Sequence, residues 1–121
     1  MGQLKGDGRA TNVPAVPAGQ YNFGELFRIN GINGIMMKTI NTADTLRAAA
    51  MEISSERIWF VVVPVATVAP QGAYLYWTAG AGVKRGDTDI TGTATGTPIA
   101  LVEDAKDANN VVGVRVLNVG P

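Results

Sequence analysis

The sequence predicts a mainly β protein, a small β-barrel or β-sandwich with at most one or two short helices and an extended N-terminal arm. Three observations carry that expectation. Ile58 to Val65 is the densest run of β-branched and aromatic side chains in the chain. Val112, Val114 and Val116 alternate with Gly113 and Arg115, a period of two that puts one apolar face of a strand toward a core. Turn formers are plentiful, with 15 glycines and 6 prolines spread along 121 residues.

The chain is long enough for one core and too short for two independent ones. Its residues are 46% hydrophobic and only 17% charged, the profile of a folded chain. Ten basic residues balance ten acidic ones, which argues against a broad phosphate-binding face and leaves little electrostatic protection against self-association. There is no cysteine and no histidine, so disulfides, thiolate nucleophiles, the usual zinc sites and imidazole-dependent triads are excluded. Met1 to Gly8 lacks the apolar run of a signal peptide, and no window approaches the eighteen or so apolar residues of a membrane helix.

In order, residues 1–19 carry Gly2, Gly6, Gly8, Pro14, Pro17 and Gly19 with no hydrophobic period. The prolines favour extended backbone, so this stretch is either an unstructured tail or an arm lying on a neighbouring subunit or surface. Leu4, Val13 and Val16 are the side chains such an arm offers. The single β-rich domain is then 20–121. Gly24 to Ile29 reads as a short strand, with Leu26 on one side and Phe27 and Ile29 on the other. Asn30-Gly31 and Asn33-Gly34 each signal a turn, because both residue types tolerate positive φ. Ile35 to Ile40 is an apolar run whose Met36 and Met37 suit core gaps. Thr45 to Ile53 fits two periods: Leu46, Ala49, Ala50 and Ile53 are spaced as in a helix, while Leu46, Ala48 and Ala50 are spaced as in a strand.

Neither face of Ile58 to Val65 carries a charge, which predicts a central strand covered on both sides, its regular part ending at Val63 because Pro64 lacks an amide hydrogen. After the turn at Pro70 to Gly72, Tyr74 to Trp77 predicts a strand with Leu75 and Trp77 on one side and Tyr74 and Tyr76 on the other. Tyrosines that bury a ring and keep a hydroxyl wet suit a subunit contact as well as cross-strand packing, which makes Tyr74, Tyr76 and Trp77 candidate interface residues. Gly80, Gly82 and Gly86 around Lys84 and Arg85 describe either a hairpin loop or an anion nest with two cations. Asp87 and Asp89 share a side of an extended chain but fall short of the oxygens a calcium site needs. Thr88 to Thr97 suits an edge strand or a glycine-loosened connection. Ile99 to Val102 begins another strand, a polar connection follows, and Val111 to Leu117 closes the domain.

From Gly24 onward the order resembles a family of small phage proteins, long known only as a domain of unknown function, that are capsid decoration or head cement proteins. The residues that carry the resemblance are the Gly24-led strand, the hydrophobic strand ending near Pro64, and Gly72 before Tyr74 to Trp77. The Lys84 to Gly96 region and Pro98 to Ala105 add to it, as does the closing Gly113, Val114, Arg115, Val116, Leu117. The resemblance implies a structural virion protein on the outer surface of the capsid, made in the host cytoplasm. It further implies a homotrimer bound to the major capsid protein, with no catalytic residue and no cofactor. The residues themselves agree in offering no nucleophile with an activating partner, no continuous basic track for nucleic acid and no evident small-molecule site. The alternative is a β-rich adhesion or ligand-binding module of a phage tail or fibre, which would display Tyr74, Tyr76 or Trp77 as a concave aromatic shelf.

Overall fold

Asn30 and Gly31 have φ of 52° and 81°, the pair of positive values that a tight hairpin turn with the twist of its strands requires. They join β2 (Leu26–Ile29) to β3 (Ile32–Met36) in a computed structural model of the chain that describes residues 10–80 and 82–118. The second Asn-Gly pair makes no turn: Asn33 and Gly34 lie inside β3. There Gly34 serves close packing, since a Cβ on it would stand 2.9 Å from the Glu52 carbonyl oxygen and 3.0 Å from Met51 Cβ.

The fold is two antiparallel five-stranded sheets, one of them curled as a half-barrel. The first runs β1 (Ala10–Val13), β4 (Ala49–Glu52), β3, β2, β7 (Lys84–Arg85). The second runs β5 (Trp59–Val62), β10 (Val111–Val116), β9 (Ala100–Asp104), β6 (Tyr74–Trp77), β8 (Ile90–Thr91). A single helical turn, α1 (Gly86–Asp89), links β7 to β8 across the sheets. The ambiguous stretch Thr45 to Ile53 is thus resolved as a loop followed by a strand, because Met51 and Ala49 pair with β3 and β1 and bury their side chains.

Two cores follow from the pleat. Leu26 and Ile35 from the inner face of the first sheet pack with Val61, Leu75, Trp77, Val102, Val112, Val114 and Val116 from the second, and this is the sandwich core. Phe27, Ile29, Met36 and Met51 point the opposite way, where Val13, Val16, Tyr21 and Ile40 cover them. The domain therefore includes residues 10–19, which the sequence pattern had assigned to an extended arm. β1 pairs with β4 over four residues, and Val13 and Val16 are 2% and 4% exposed. Arg47 holds the segment down by donating to the carbonyls of Val16, Pro17 and Gly19. Leu4 lies outside the described residues.

The run Ile58 to Val65 also departs from expectation. β5 is an edge strand of the second sheet; β10, paired on one side with β5 and on the other with β9, lies inside the sheet, and its Val112, Val114 and Val116 are fully buried. Trp59 and Val61 face inward, whereas Phe60 and Val62 are 63% and 53% exposed. The regular strand ends at Val62, and the Val63 amide donates to the Asn110 carbonyl at 2.9 Å before Pro64 interrupts the ladder.

A buried carboxamide ties the sheets together. Asn33, 4% exposed on β3, accepts at Oδ1 from Trp77 Nε1 of β6 at 2.7 Å and from Arg28 Nη1 at 3.3 Å, and donates from Nδ2 to the Leu117 carbonyl at 3.1 Å. Its backbone exchanges two bonds with the Asn118 side chain. Asn33→Ala leaves the buried indole N–H without an acceptor and is expected to destabilise the fold by about 2–3 kcal/mol in urea unfolding. A loss smaller than ~0.5 kcal/mol would mean the joint contributes nothing.

Tyr21 sets a pH limit. Burial pushes its phenol above the usual 10.0, with the Arg47 guanidinium pulling the other way, and its hydroxyl donates to the Pro17 carbonyl at 3.1 Å. Folded protein therefore holds this proton more tightly than unfolded chain does. The associated stability is complete below the unfolded phenol value and is lost as pH rises through the folded one. Melting curves from neutral pH into the alkaline range should fall more steeply for the wild type than for Tyr21→Phe, and equal slopes would contradict this.

Candidate interaction surface

The outer face of the second sheet is built by the register. Phe60 stands opposite Gly113 and Val62 opposite Val111, Arg115 opposite Leu101, and Leu101 opposite Tyr74. Because alternate residues share a face, these side chains and Tyr76 form a surface pointing away from the sandwich core. Tyr74 is 48% exposed, and Leu101, Val111 and Tyr76 are half-buried. Arg115 is held in place by Glu103, with Nε to Oε2 at 2.7 Å, and by the Ser55 carbonyl at 3.0 Å. The face is thus an apolar stripe with a neutralised ion pair beside it.

Gly113 is what lets Phe60 settle on this face. A Cβ at residue 113 would lie 3.1 Å from Phe60 Cε1 and 2.9 Å from Asp104 Cβ, so the ring of one strand and the side chain of the next close over the missing group. An aromatic ring covering a cross-strand glycine protects backbone that would otherwise be hydrated. The β9 and β10 register shifts next to this residue, between Gly113 and Val114.

The edge itself is open. Val63 donates to Asn110, and β5 runs antiparallel to β10, so Trp59 and Val61 share the bonded side while the backbone groups of Phe60 and Val62 point to the other edge, which no strand among the described residues covers. That edge borders a cleft of about 300 Å³ lined by Phe60, Val61, Val62, Phe23, Leu26 and Asp87 among others. Phe23 is 58% exposed on its far wall. Beyond the strand, Val65 and Val68 project at 77% and 73% exposure from a loop that Lys106 holds by donating to the Val65 and Thr67 carbonyls. Six of the eight large hydrophobic side chains exposed among the described residues fall between Ile58 and Tyr74, so the apolar surface is concentrated in one region rather than scattered.

The sequence-predicted interface residues therefore separate. Tyr74 and Tyr76 lie on the outer face; Trp77 is 7% exposed, bonded to Asn33 and unavailable to a partner; Val13 and Val16 are buried in the chain's own second core. Phe60 and Val62, expected from the sequence to be covered on both sides of their strand, are among the exposed hydrophobic side chains. Pro64 was the available signal, since a proline in a strand run marks an edge. Asp87 does not join Asp89 in a cation site. Arg85 Nη2 lies 3.0 Å from Asp87 Oδ2 and 3.3 Å from Glu25 Oε2, and the Arg85 amide donates to Asp89 Oδ2 at 3.0 Å. Among the described residues no three acidic side chains converge as a metal site. No family model, no curated protein and no solved structure matches the chain.

Gly113→Ala should cost about 1–2 kcal/mol in urea unfolding and displace Phe60, visible as a changed ring environment in aromatic NMR spectra. An unchanged spectrum at unchanged stability would show that the ring does not rest on this residue.

Proposed function

We propose that the protein is a structural component that binds the outer surface of an icosahedral phage head as a homotrimer and reinforces contacts between subunits of the major capsid protein. The observation that supports this most is the apolar outer face of the second sheet continuing to the open edge of β5. Cementing requires no reacting group. It requires a rigid domain with an apolar patch and a polar rim, making weak contacts that symmetry repeats. A free strand edge adds backbone donors and acceptors in a fixed direction, suited to an extended segment of a shell protein. Near-zero formal charge lets neighbouring copies approach without long-range repulsion.

The rival reading, an adhesion or ligand-binding module of a tail or fibre, needs a concave aromatic shelf. With Trp77 inside the core, that shelf is reduced to Tyr74 and Tyr76.

The test uses heads assembled without the protein, mixed with purified chain and sedimented, with light scattering of the free protein across concentrations. Saturable co-sedimentation is expected at a fixed ratio to the capsid protein. Phe60→Ser combined with Val62→Thr should weaken it by about tenfold or more, and Val62→Thr alone, which leaves the Phe60 ring on Gly113, should weaken it in the same direction with an unchanged urea midpoint. Equal binding by the double variant would overturn this surface as the docking face. Failure to bind heads at all would overturn the function, and a monomer both free and on the head would overturn the trimer.

A further inference from the structure

We infer that the end of the sandwich beside β7 is a binding site for a tetrahedral, doubly charged oxyanion, phosphate or sulfate, free or as a monoester. Lys84 and Arg28 stand directly opposite each other in the β2–β7 register, on the inner face of the first sheet. Like charges in that position repel unless something lies between them. Lys84 is only 8% exposed, and its ammonium has one bond, to the Thr78 carbonyl at 2.8 Å. Arg28 spends one guanidinium N–H on Asn33. Neither cation has a carboxylate partner among the described residues. The nearby acids are drawn to the other face of the sheet, where Arg85 takes Glu25 and Asp87. A buried charge is costly without a counter-charge, and here the buried Lys84 stands beside a second, half-buried cation, Arg28.

Between them opens a cleft of about 310 Å³ whose lining is mostly polar: Arg28, Lys84, Thr78, Gly80, Thr95 and Thr97 with the edge of Trp77. Thr95 donates to the Trp77 carbonyl, which fixes that wall, while the hydroxyls of Thr78 and Thr97 have no partner among the described residues. Gly80 lines the approach with φ at 126°, a conformation that favours glycine, and leaves Lys84 Nζ without a side-chain neighbour at that position. Two ammonium hydrogens, the remaining guanidinium donors and two hydroxyls then converge on one volume from several directions. A tetrahedral dianion accepts from that spread and balances both charges, whereas a planar carboxylate balances one.

The site is independent of the apolar docking face and is tested on the full chain. ¹⁵N-labelled protein is titrated at constant ionic strength with inorganic phosphate, sulfate, a phosphoserine amide and acetate, each against chloride. Saturable shifts are expected in Thr78, Gly80, Lys84, Thr95 and Thr97, with a raised melting temperature, and acetate weaker by about tenfold. The indole N–H of Trp77 serves as a second reporter. Lys84→Met and Arg28→Gln should each weaken phosphate by about tenfold or more; the second keeps the test informative if the first does not fold. Phosphoserine amide binding tighter than inorganic phosphate would identify the ligand as a monoester, and the reverse would identify the free ion. Shifts that fail to saturate, that persist in Arg28→Gln, or that acetate matches would overturn the proposal.

Discussion

The Asn33 carboxamide is the constraint on which the arrangement of the two sheets depends. Apolar faces packed in a sandwich tolerate small slips, because burial is nearly indifferent to direction. A buried amide whose acceptor serves an indole N–H on the facing sheet is not indifferent, since any slip leaves a polar group unpaired in a low-dielectric interior. The same residue holds the end of β10 through the Leu117 carbonyl and the Asn118 side chain, so one position registers β3 against both β6 and the chain that follows β10.

That joint has consequences on both sides of the molecule. It keeps Trp77 inside, which leaves the outer face of β6 to its tyrosines. It also orients Arg28 across from Lys84, at the mouth of the sandwich. The first sheet is covered on both faces, by the second sheet and by the segment from Val13 to Tyr21 that Arg47 secures. Among the described residues nothing covers the outer face of the second sheet, so the remaining apolar surface collects there.

The balanced formal charge conceals an uneven distribution. Arg115 with Glu103 is locally neutral and Arg85 with Glu25 and Asp87 is left with one negative charge; both groups are half-exposed, so each adds little to stability and serves chiefly to hold side chains in place. Arg47 and Lys106 are spent on backbone carbonyls, whereas Lys84 and Arg28 are two cations that the fold sets opposite each other without acid partners among the described residues. In the sequence the adjacent Lys84 and Arg85 read together, as two cations of one glycine-flanked loop or nest. Alternation along β7 sends the two side chains to opposite faces, one into an ion-pair cluster and the other into a cleft.

The sequence by itself determined the β class, the Asn30-Gly31 turn, the inward face of β10 and the strand at Leu26 to Ile29. These are local facts, set by a two-residue period or by which residues tolerate positive φ. Tertiary structure alone decided the rest. Thr45 to Ile53 satisfied two periods at once, and only pairing with β1 and β3 chose the strand. Val13 and Val16 look free in a glycine- and proline-rich stretch until β4 and Arg47 receive them. Phe60 and Val62 sit in a run with no polar residue on either side, so hydrophobicity could not tell a central strand from an edge. That choice depends on how many strands follow and where they pair, a sum of long-range contacts that no local pattern records.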